Sequence, residues 1–379
     1  MTDPSGLRPP AGPQDAPRDD DAPRRLGRRA LLSGGLTLAA GAGAGAAAGA
    51  LVARDDPSHR LATGTVAGGG GPWRYVSPGA SIQAAIDAGA AAIQLGAGTY
   101  PIDAPLAPTP GCTIRGIGEQ TVLTATAEVP TVIAIGAGRP VGGVTIADLV
   151  VDAASRADTG IDLDIVGTGG NLRGEPDAVC RLDALWVLDA RVDGIAYRGS
   201  DTQATITSRV RVRRAGRHGY RIEAPDNTWI ACEATTQGTG GAGFWVAGAN
   251  LHFDACKAWY CRGVGWEVRG SRNSFTGCES QDTASHGWRI TTARNTLTSC
   301  SADTAGMADV GGRPDVADGF SVEPDSELAL VGCMAFDRTP MQLPAQQRYG
   351  FDVPAALVDA GLLVAPIGWG NVRGLVSAR

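Results

Sequence analysis

The sequence predicts an all-β solenoid, a single-stranded parallel β-helix. Three observations predict it: a repeat of about 22–25 residues between Gly219 and Gly350, three short phrases that recur in the same order, and apolar–polar alternation within each phrase. Alternation with a period of two is typical of strands and not of helices. Three short strands per repeat would stack each coil on the next, about 4.8 Å away.

The first phrase is a glycine, an aromatic residue, any residue, and then Val or Ile. Its copies begin at Gly219, Gly243, Gly265, Gly287, Gly319 and Gly350, with longer spacing in the last two, and a weaker copy begins at Gly194. Because equivalent residues of stacked coils lie one strand spacing apart, the aromatic residues should form a ladder.

The second phrase is an asparagine followed two or three residues later by a large apolar residue. The asparagines are Asn227, Asn250, Asn273 and Asn295, and the apolar residues are Trp229, Phe253, Phe275 and Leu297. The third phrase is a cysteine with a small residue two places on, at Cys232, Cys256, Cys278, Cys300 and Cys333. We therefore expect an asparagine ladder and a cysteine ladder as well.

The cysteine spacing favours free thiols over disulfides. Eight cysteines in an exported protein would usually indicate disulfide bonds. Here the repeated cysteines open equivalent strands and point the same way into the core, where small thiols stack well. Cys112, Cys180 and Cys261 lie outside this ladder, and a bridge from Cys261 to a ladder cysteine stays open.

Composition limits the possible partners. The chain has 379 residues, 43% of them hydrophobic, 54 glycines and only 5% aromatic residues, which suits a long core of small and β-branched side chains. The net charge is −6 and Lys257 is the only lysine, so a nucleic-acid partner is not expected. We expect a monomer, because a trimeric spike would need an exposed apolar stripe.

The N-terminal residues indicate export. Residues 1–26 are rich in Pro, Asp, Gly and Arg and should be disordered. Arg28 and Arg29 precede an uncharged Ala/Gly/Leu run, so residues 27–53 form a predicted twin-arginine signal, a route that carries folded proteins. The alternative is an uncleaved anchor, the one case in which membrane contact is expected. Residues 54–73 are a linker, residues 74–379 are the β-helix, and the mature protein should be extracellular or envelope-associated.

The start of the β-helix carries a family resemblance. Ser81 caps a short amphipathic helix, IQAAID, which should cover the first coil; the strand QLGAGTY and the turn GCTIRGIG follow. This entry, followed by the coils, resembles the pectate-lyase-like superfamily over roughly residues 74–355. The resemblance implies a right-handed β-helix with an N-terminal capping helix. It leaves the activity open, because that superfamily contains lyases, glycoside hydrolases, epimerases and non-catalytic adhesins.

Alternation predicts which side chains of the glycine–aromatic strand point outward. The residue between the aromatic and the Val or Ile faces solvent, as does the residue two places further on. The first outward column is Asp162, Ala196, Arg221, Trp245, Glu267, Arg289, Ser321 and Asp352. The second is Asp164, Arg198, Glu223, Ala247, Arg269, Thr291 and Glu323.

Arginines on one face of an acidic protein indicate an anionic ligand, because guanidinium binds carboxylates in two-point contacts. We therefore predict an acidic, uronate-containing polysaccharide as partner, with Trp245 stacking on a sugar ring and histidines at the strand entrances able to act as acid or base. The predicted binding residues are Arg221, Trp245, Arg269, His218 and Glu223. The predicted catalytic residues are Glu267, Arg289, His286, Tyr349 and Asp352. A solvated ladder of paired charges, which needs no substrate, explains the same pattern.

The reaction predicted is a metal-independent β-elimination or epimerisation, in which arginine neutralises the uronate carboxylate and His286 or Tyr349 handles the proton. A glycoside hydrolase stays as an alternative. It needs carboxyl groups ~5 or ~6.5–9.5 Å apart, whereas Glu223 and Glu267 lie two coils, ~10 Å, apart. A loop acid such as Asp303, Asp315 or Asp318 would have to join them.

Two further patterns leave alternatives open. Residues 349–352, Tyr-Gly-Phe-Asp, resemble the opening of the Tyr-Gly-Phe-Asp-Pro-His motif of mannuronan epimerases, which implies roles for Tyr349 and Asp352. Val353 and Pro354 follow here, so the motif's histidine is missing. No cofactor is predicted, although Asp162 and Asp164 with loop 166–179 offer a weak calcium site.

A non-catalytic surface protein that binds glycan or protein is the alternative from another class. The inserts at residues 303–317 and 337–348 should distinguish the two. In a catalytic protein we expect them to fold against the Arg/Glu face and form a cleft, whereas a binding protein can leave that face open.

Overall fold

The computed structural model describes residues 73–168, 179–338 and 344–379. The chain divides into two units, Met1–Ala67 and Gly68–Arg379, and the β-helix belongs to the second. The predicted disordered segment 1–26, the signal or anchor 27–53 and linker residues 54–72 lie outside the described residues. Within the described ranges, no helix is both long enough and apolar enough to cross a bilayer.

The described residues form strands, two short α-helices and two 3-10 turns, the latter at Gly118–Gln120 and Ala308–Val310. The first half contains β1 Arg74–Val76, α1 Ile82–Asp87, β2 Ala92–Leu95, β3 Gly98–Ile102, β4 Thr113–Arg115, β5 Thr121–Ala125, β6 Val129–Arg139, β7 Thr145–Asp152, β8 Ala157–Ile165, β9 Arg181–Leu188, β10 Asp193–Arg198, β11 Ile206–Ser208, β12 Arg211–Ala215, β13 Tyr220–Ile222, β14 Thr228–Ile230 and β15 Glu233–Thr236. The second half contains β16 Ala242–Val246, β17 His252–Asp254, β18 Lys257–Cys261, β19 Val264–Val268, β20 Ser274–Thr276, β21 Glu279–Thr283, β22 Trp288–Ile290, β23 Asn295–Thr298, β24 Ser301–Ala305, β25 Phe320–Val322, β26 Leu328–Val331, β27 Met334–Phe336, β28 Tyr349–Val353, α2 Ala355–Asp359, β29 Leu363–Val364 and β30 Gly374–Ala378.

The strands pair in parallel along three ladders, which confirms the predicted β-helix. Sheet 1 holds the glycine–aromatic strands, β6, β8, β10, β13, β16, β19, β22, β25, β28 and β30. Sheet 2 holds the asparagine strands from β11 and β14 to β26 and β29, and sheet 3 the cysteine strands from β12 and β15 to β27. Sheets 2 and 3 are continuous through the long strands β7 and β9, which bend at Asp148 and Ala184, both with φ of 52°.

The predicted capping helix is present. The Ser81 hydroxyl accepts a hydrogen bond from the backbone N–H of Ala84 (3.1 Å) at the start of α1. The helix buries Ile82, Ala85 and Ile86 in the apolar core, so this end of the core is covered as expected.

The aromatic ladder is confirmed as a continuous stack in the core. Successive ring centroids lie 4.6 Å apart from Tyr220 to Phe244, 4.0 Å from Phe244 to Trp266, and 4.7 Å from Trp266 to Trp288. The stack continues through Phe320 to Phe351. Near-parallel rings at this spacing follow from the coil repeat, because stacked coils place equivalent side chains one strand spacing apart.

The glycine of the first phrase and the small residue of the third phrase pack against each other. A Cβ added at Gly265 would lie 2.1 Å from Ser280 Oγ and 2.6 Å from the carbonyl oxygen of Gly287. At Gly243 the added Cβ would lie 2.7 Å from the Cβ of Ala258. The two phrases therefore recur together because sheet 1 and sheet 3 meet at this corner with no room for larger side chains.

The asparagine ladder is confirmed at three positions and wrong at one. The side-chain oxygens of Asn227, Asn273 and Asn295 accept backbone N–H groups of the preceding coil at 2.8–2.9 Å. Asn250 is instead exposed, with φ of 59°, and the buried Leu251 takes the ladder position of that coil. The three-residue gap between Asn250 and Phe253, where the other coils have two, is the sequence sign of this shift.

All eight cysteines are buried and free, and the five repeated cysteines stack as the spacing predicted. The thiols of Cys232, Cys300 and Cys333 donate to carbonyl oxygens of the preceding coil at 3.4–3.5 Å. Cys261 forms no bridge, and burial raises the pKa of its thiol to about 12.

Several large apolar side chains are exposed near the two ends of the described solenoid. Trp73 and Tyr75 lie at the first strand, and Ile367 and Trp369 lie in the last coil, where the Trp369 ring stacks on Phe336 (4.7 Å). They do not form the lengthwise stripe expected of a trimeric spike.

Candidate functional site

The outer face of sheet 1 carries the predicted columns in register. Arg221, Trp245, Glu267, Arg289 and Ser321 pair in sequence through β13, β16, β19, β22 and β25. Asp352 follows on β28. The alternation rule therefore placed these residues on the correct side of the strand.

The prediction that the whole column faces solvent is wrong for three members. Glu267 is only 5% exposed and Asp352 only 6%, and Ala196 is also buried. Glu267 is covered because Arg269 reaches back over it, with Nε and Nη2 at 3.0 and 2.9 Å from Oε1. Long arginine side chains on neighbouring positions thus bury the carboxylates beneath them.

Most arginines of this face are already paired with a carboxylate. Arg198 contacts both Asp162 and Asp164, and Arg221 binds Glu223 two residues further along the chain (2.6 Å). These pairs match the alternative of a self-contained charge ladder, because a guanidinium that holds two hydrogen bonds must give them up to bind a ligand.

Arg289 differs from these arginines. Its nearest carboxylate oxygens, on Glu267 and Glu323, lie 3.7 and 3.5 Å away, and the side chain is 41% exposed. Neither contact is a hydrogen bond by geometry, and the described residues offer Arg289 no other ion pair. This guanidinium lies within ion-pair range of two carboxylates but keeps N–H donors that no carboxylate hydrogen-bonds.

His218 is a neutral ring packed against the exposed edge of Trp245. The two ring centroids lie 5.5 Å apart, and the His218 Nδ1 accepts the backbone N–H of Ala242 (3.1 Å). Burial, opposed by Asp193 and aided by the nearby arginines, lowers the pKa of His218 to about 4. A ring that stays neutral and carries its proton on Nε2 is a hydrogen-bond donor and an aromatic surface here, so it fits a binding role better than proton transfer.

His286 occupies the equivalent position three coils further on, with a buried aspartate beside it. Its Nδ1 accepts the backbone N–H of Asp318 (3.0 Å) and lies 3.5 Å from Asp318 Oδ2. Asp318 therefore offers a donor and an acceptor to one ring nitrogen. Because the Asp318 N–H donates to Nδ1, the ring carries its proton on Nε2. In the other tautomer Nδ1–H would donate to the Asp318 carboxylate and Nε2 would be the base.

Asp318 is held by a second group. Arg348 donates two hydrogen bonds to its carboxylate (2.8 and 2.7 Å), and the backbone N–H of Tyr349 donates a third (3.2 Å). Burial alone would raise the pKa of this fully buried carboxyl, but His286 and Arg348 lower it below its ordinary value. It is thus an anion that orients its neighbours.

Tyr349 and Asp352 lie apart from His286 and Arg289. Tyr349 and His286 both precede the glycine of the repeat, but in coils two steps apart, roughly 10 Å by strand spacing. Asp352 is bound by Arg379 (2.9 Å) and Arg348 (3.3 Å). The predicted catalytic residues therefore form two groups, Glu267, His286 and Arg289 in one, Tyr349 and Asp352 in the other.

None of the three predicted loop acids joins Glu267. Asp303 belongs to strand β24 of sheet 3 and not to an insert; it is buried beside Arg338 (3.3 Å), and burial raises its pKa to about 6. Asp315 pairs with Arg373 (2.7 Å). Asp318 is instead joined to Asp352 through Arg348, whose Nη2 lies 2.7 and 3.3 Å from the two carboxylates.

The two inserts leave the Arg289 region open in the part of the chain that the structure describes. The first insert, residues 303–317, packs on the preceding coil, where the backbone N–H of Met307 donates to the carbonyl oxygen of Thr283 (2.8 Å). The second reaches the face through Arg348, which contacts Asp352. Residues 339–343 of this insert lie outside the described residues.

The weak calcium site is not supported by its described part. Asp162 and Asp164 both contact Arg198, which competes with a cation for them. Among the described residues, no cluster of three or more His, Cys, Asp or Glu side chains is disposed to hold a metal. Most of loop 166–179 lies outside the described residues.

Solved structures share this architecture. The A-module of a mannuronan C-5 epimerase from Azotobacter vinelandii superposes with a TM-score of 0.54 at 15% identity over 81% of this chain and 98% of that module. Tailspike protein 2 of an Escherichia coli bacteriophage superposes with a TM-score of 0.53 at 12% identity over 78% of this chain, which spans 38% of the tailspike. These likenesses show the fold. No protein-family model and no curated protein sequence matches the chain.

The sequence analysis named Asp318 only as a candidate loop acid and missed Asp193, so it did not find that buried anions organise the face. Asp193 and Asp318 directly precede a repeat glycine, and each binds an arginine two residues before the next copy, Arg217 or Arg348. Alternation within the strand does not reach this position, because the chain turns there. The usable signal was the recurrence of Asp-Gly in one coil and an arginine two residues before glycine in the next.

Proposed function

We propose that the protein acts on an acidic, uronate-containing polysaccharide laid along the outer face of sheet 1, by β-elimination. The observation that carries this is Arg289, a half-exposed guanidinium without a hydrogen-bonded carboxylate in a face where the other arginines are paired. A uronate carboxylate fits the unused N–H donors of Arg289, because the guanidinium fork binds a carboxylate in two-point contacts.

The chemistry assigned to this group needs one acid–base residue. Arg289 neutralises the uronate carboxylate, which makes the C5 proton easier to remove. His286, three residues earlier in the same coil, must first give up the Asp318 backbone N–H bond to Nδ1 and move its proton from Nε2 to Nδ1, where the Asp318 carboxylate accepts it. Its Nε2 then takes the C5 proton, the C4–O4 bond breaks as the C4–C5 double bond forms, and Nε2 returns the proton to the departing O4. Glu267, itself bound by Arg269, lies 3.7 Å from Arg289 on the neighbouring coil and helps to position it.

Epimerisation is the less favoured reaction. It requires a second proton donor on the opposite side of the sugar ring, and Tyr349 lies about two coils, roughly 10 Å, from His286. The fold shared with the mannuronan C-5 epimerase module supports a polysaccharide substrate for this chain but does not select between the two reactions.

Binding without turnover is the second candidate, favoured by the open face around Arg289. Nuclear magnetic resonance in D₂O separates the three outcomes on polymannuronate, polyguluronate and polygalacturonate. Elimination gives an unsaturated product, epimerisation gives deuterium at C5 without chain cleavage, and pure binding gives neither while still retarding the protein in a polyuronate gel. The absence of all three signals would remove the proposal.

We also propose that the chain is exported in its folded form. The support is the buried thiol ladder, since five stacked cysteines brought together in an oxidising compartment before folding are prone to wrong disulfides. Residues 27–53 fused to a reporter should depend on the twin-arginine route and lose export on Arg28→Lys with Arg29→Lys. Export by the general secretory route would contradict it.

A further inference from the structure

An open groove runs along the corner between sheets 2 and 3, away from the face of sheet 1. It encloses about 470 Å³ and extends from Trp186 to Glu279 across successive coils. This volume is in the range of roughly 300–1,000 Å³ that small-ligand sites occupy.

The groove exists because three successive coils place small residues at this corner. Ala231, Ala255 and Gly277 turn the chain with φ between 51° and 58° and form the floor. The neighbouring coils carry Arg209 and Ser299 at the same corner, with φ of 55° and 53°. The hydrogen-bond pattern at the five corners is the same, so the backbone accepts larger side chains there and the groove is set by side-chain size alone.

One wall of the groove alternates cations and anions from coil to coil. Arg211 binds Glu233 (3.2 Å), and Lys257, the chain's only lysine, binds Glu279 (3.1 Å). Arg209 at the end binds Asp183 (3.1 Å). Each of these cations is paired but partly exposed, so the wall presents both donors and acceptors toward the groove.

This pattern favours an uncharged polyhydroxylated ligand. An anion would have to displace a carboxylate from its cation, whereas a hydroxyl accepts from Arg or Lys and donates to Glu at the same time. The Trp186 indole at one end adds an apolar surface, fixed by Arg211 and Arg213 at 5.1 and 5.2 Å from its ring centroid. The groove is open, so a polymer can pass along it.

We propose that this groove binds a neutral glycan chain, separately from the acidic polysaccharide assigned to sheet 1. The ligand lies over Ala231, Ala255 and Gly277, with its hydroxyls on the Arg211–Glu233 and Lys257–Glu279 pairs. A second glycan site would hold the protein on a mixed polysaccharide matrix while sheet 1 engages the acidic component.

The test fills the groove with a side chain that the fold already accepts at this corner. Ala255→Arg copies Arg209, and Ser299→Arg adds the same side chain at a corner outside the groove lining. Affinity electrophoresis with soluble β-glucan, mannan and xylan should show retardation of the wild-type protein by one of them. Ala255→Arg should weaken it roughly tenfold or more, because the groove is then occupied, and Ser299→Arg should leave it unchanged.

Two readouts make the result decisive. The two variants must have the same midpoint of thermal unfolding, and Ala255→Arg must still bind polyuronate. The bound glycan should also slow the acylation of Lys257, and peptide mass mapping measures the extent of that acylation. No retardation by any neutral polysaccharide, or equal retardation of Ala255→Arg and wild type, would overturn the proposal while leaving the sheet 1 assignment intact.

Discussion

The Nδ1 atom of His286 accepts a hydrogen bond from the backbone N–H of Asp318, 3.0 Å away, while the carboxylate of the same residue stands 3.5 Å from that nitrogen. The backbone bond places the ring's proton on Nε2, and the carboxylate can accept from Nδ1 once the tautomer changes. This carboxylate makes His286 the proton-transfer group of the proposed reaction. His218 has only the backbone N–H of Ala242 at Nδ1, and burial lowers its pKa to about 4.

Replacing His286 by Gln should abolish turnover and spare binding. The Gln oxygen can still accept the Asp318 N–H, so the loop stays in place, but no proton can be transferred, and the rate should fall about 10²-fold or more. Turnover and gel retardation on polyuronate measure the two effects. His252→Gln, at an exposed histidine of sheet 2, is the matched control. Unchanged turnover in His286→Gln would remove this residue from the mechanism.

His218 should make the fold less stable in acid. Its pKa is about 4 in the folded protein against an ordinary value of 6.5, so between these values the unfolded chain binds a proton that the folded chain does not. Stability is therefore lost as the pH falls from 6.5 to 4. His218→Gln keeps an acceptor for Ala242 and should lose less stability between pH 7 and pH 4.5 than the wild type in denaturant titrations. Equal pH slopes for the two proteins would contradict the assignment.

Gly265→Ala should destabilise the solenoid through one corner contact. The new Cβ would meet Ser280 Oγ at 2.1 Å and a backbone oxygen at 2.6 Å, and such overpacking costs about 1–3 kcal/mol. Ser280→Gly should restore part of this loss, since it removes the side-chain contact and leaves the backbone contact. Gly277→Ala is the control: nothing lies within 4 Å of its added Cβ, so it should cost only the backbone strain of its φ of 58°, and Ser280→Gly should not restore that cost. Failure of Ser280→Gly to restore any stability to Gly265→Ala would refute the packing explanation.

The fold could be predicted almost entirely from the sequence because coil stacking converts a repeated residue into a ladder. Tyr220, Phe244 and Trp266 fall on one stack for this reason. The exception, Asn250, belongs to a coil in which Leu251 takes the ladder position and the asparagine stands one residue before it. The pattern also located the outer face of sheet 1 correctly.

The site was less predictable because it depends on side-chain reach and not on register. Alternation cannot tell that Arg269 folds back over Glu267, or that Arg289 lacks such a partner. Nor does it reveal the groove at Ala255, since a single small corner residue carries no signal until neighbouring coils are stacked on it. Asp303 was predicted to lie in an insert because the strand that contains it is short and polar.

The most direct measurement follows the absorbance of unsaturated uronates while the protein acts on polymannuronate, polyguluronate or polygalacturonate, with and without calcium, next to Arg289→Ala and Arg115→Ala. Arg115 is an exposed arginine paired with Asp148 away from sheet 1 and serves as the control. We expect the absorbance to rise with one of these polymers, independently of calcium. The rate should be roughly 10- to 100-fold lower in Arg289→Ala, because a charged hydrogen-bond pair is lost, and unchanged in Arg115→Ala. No absorbance change with any polymer, or the same rate in Arg289→Ala as in the wild type, would contradict it.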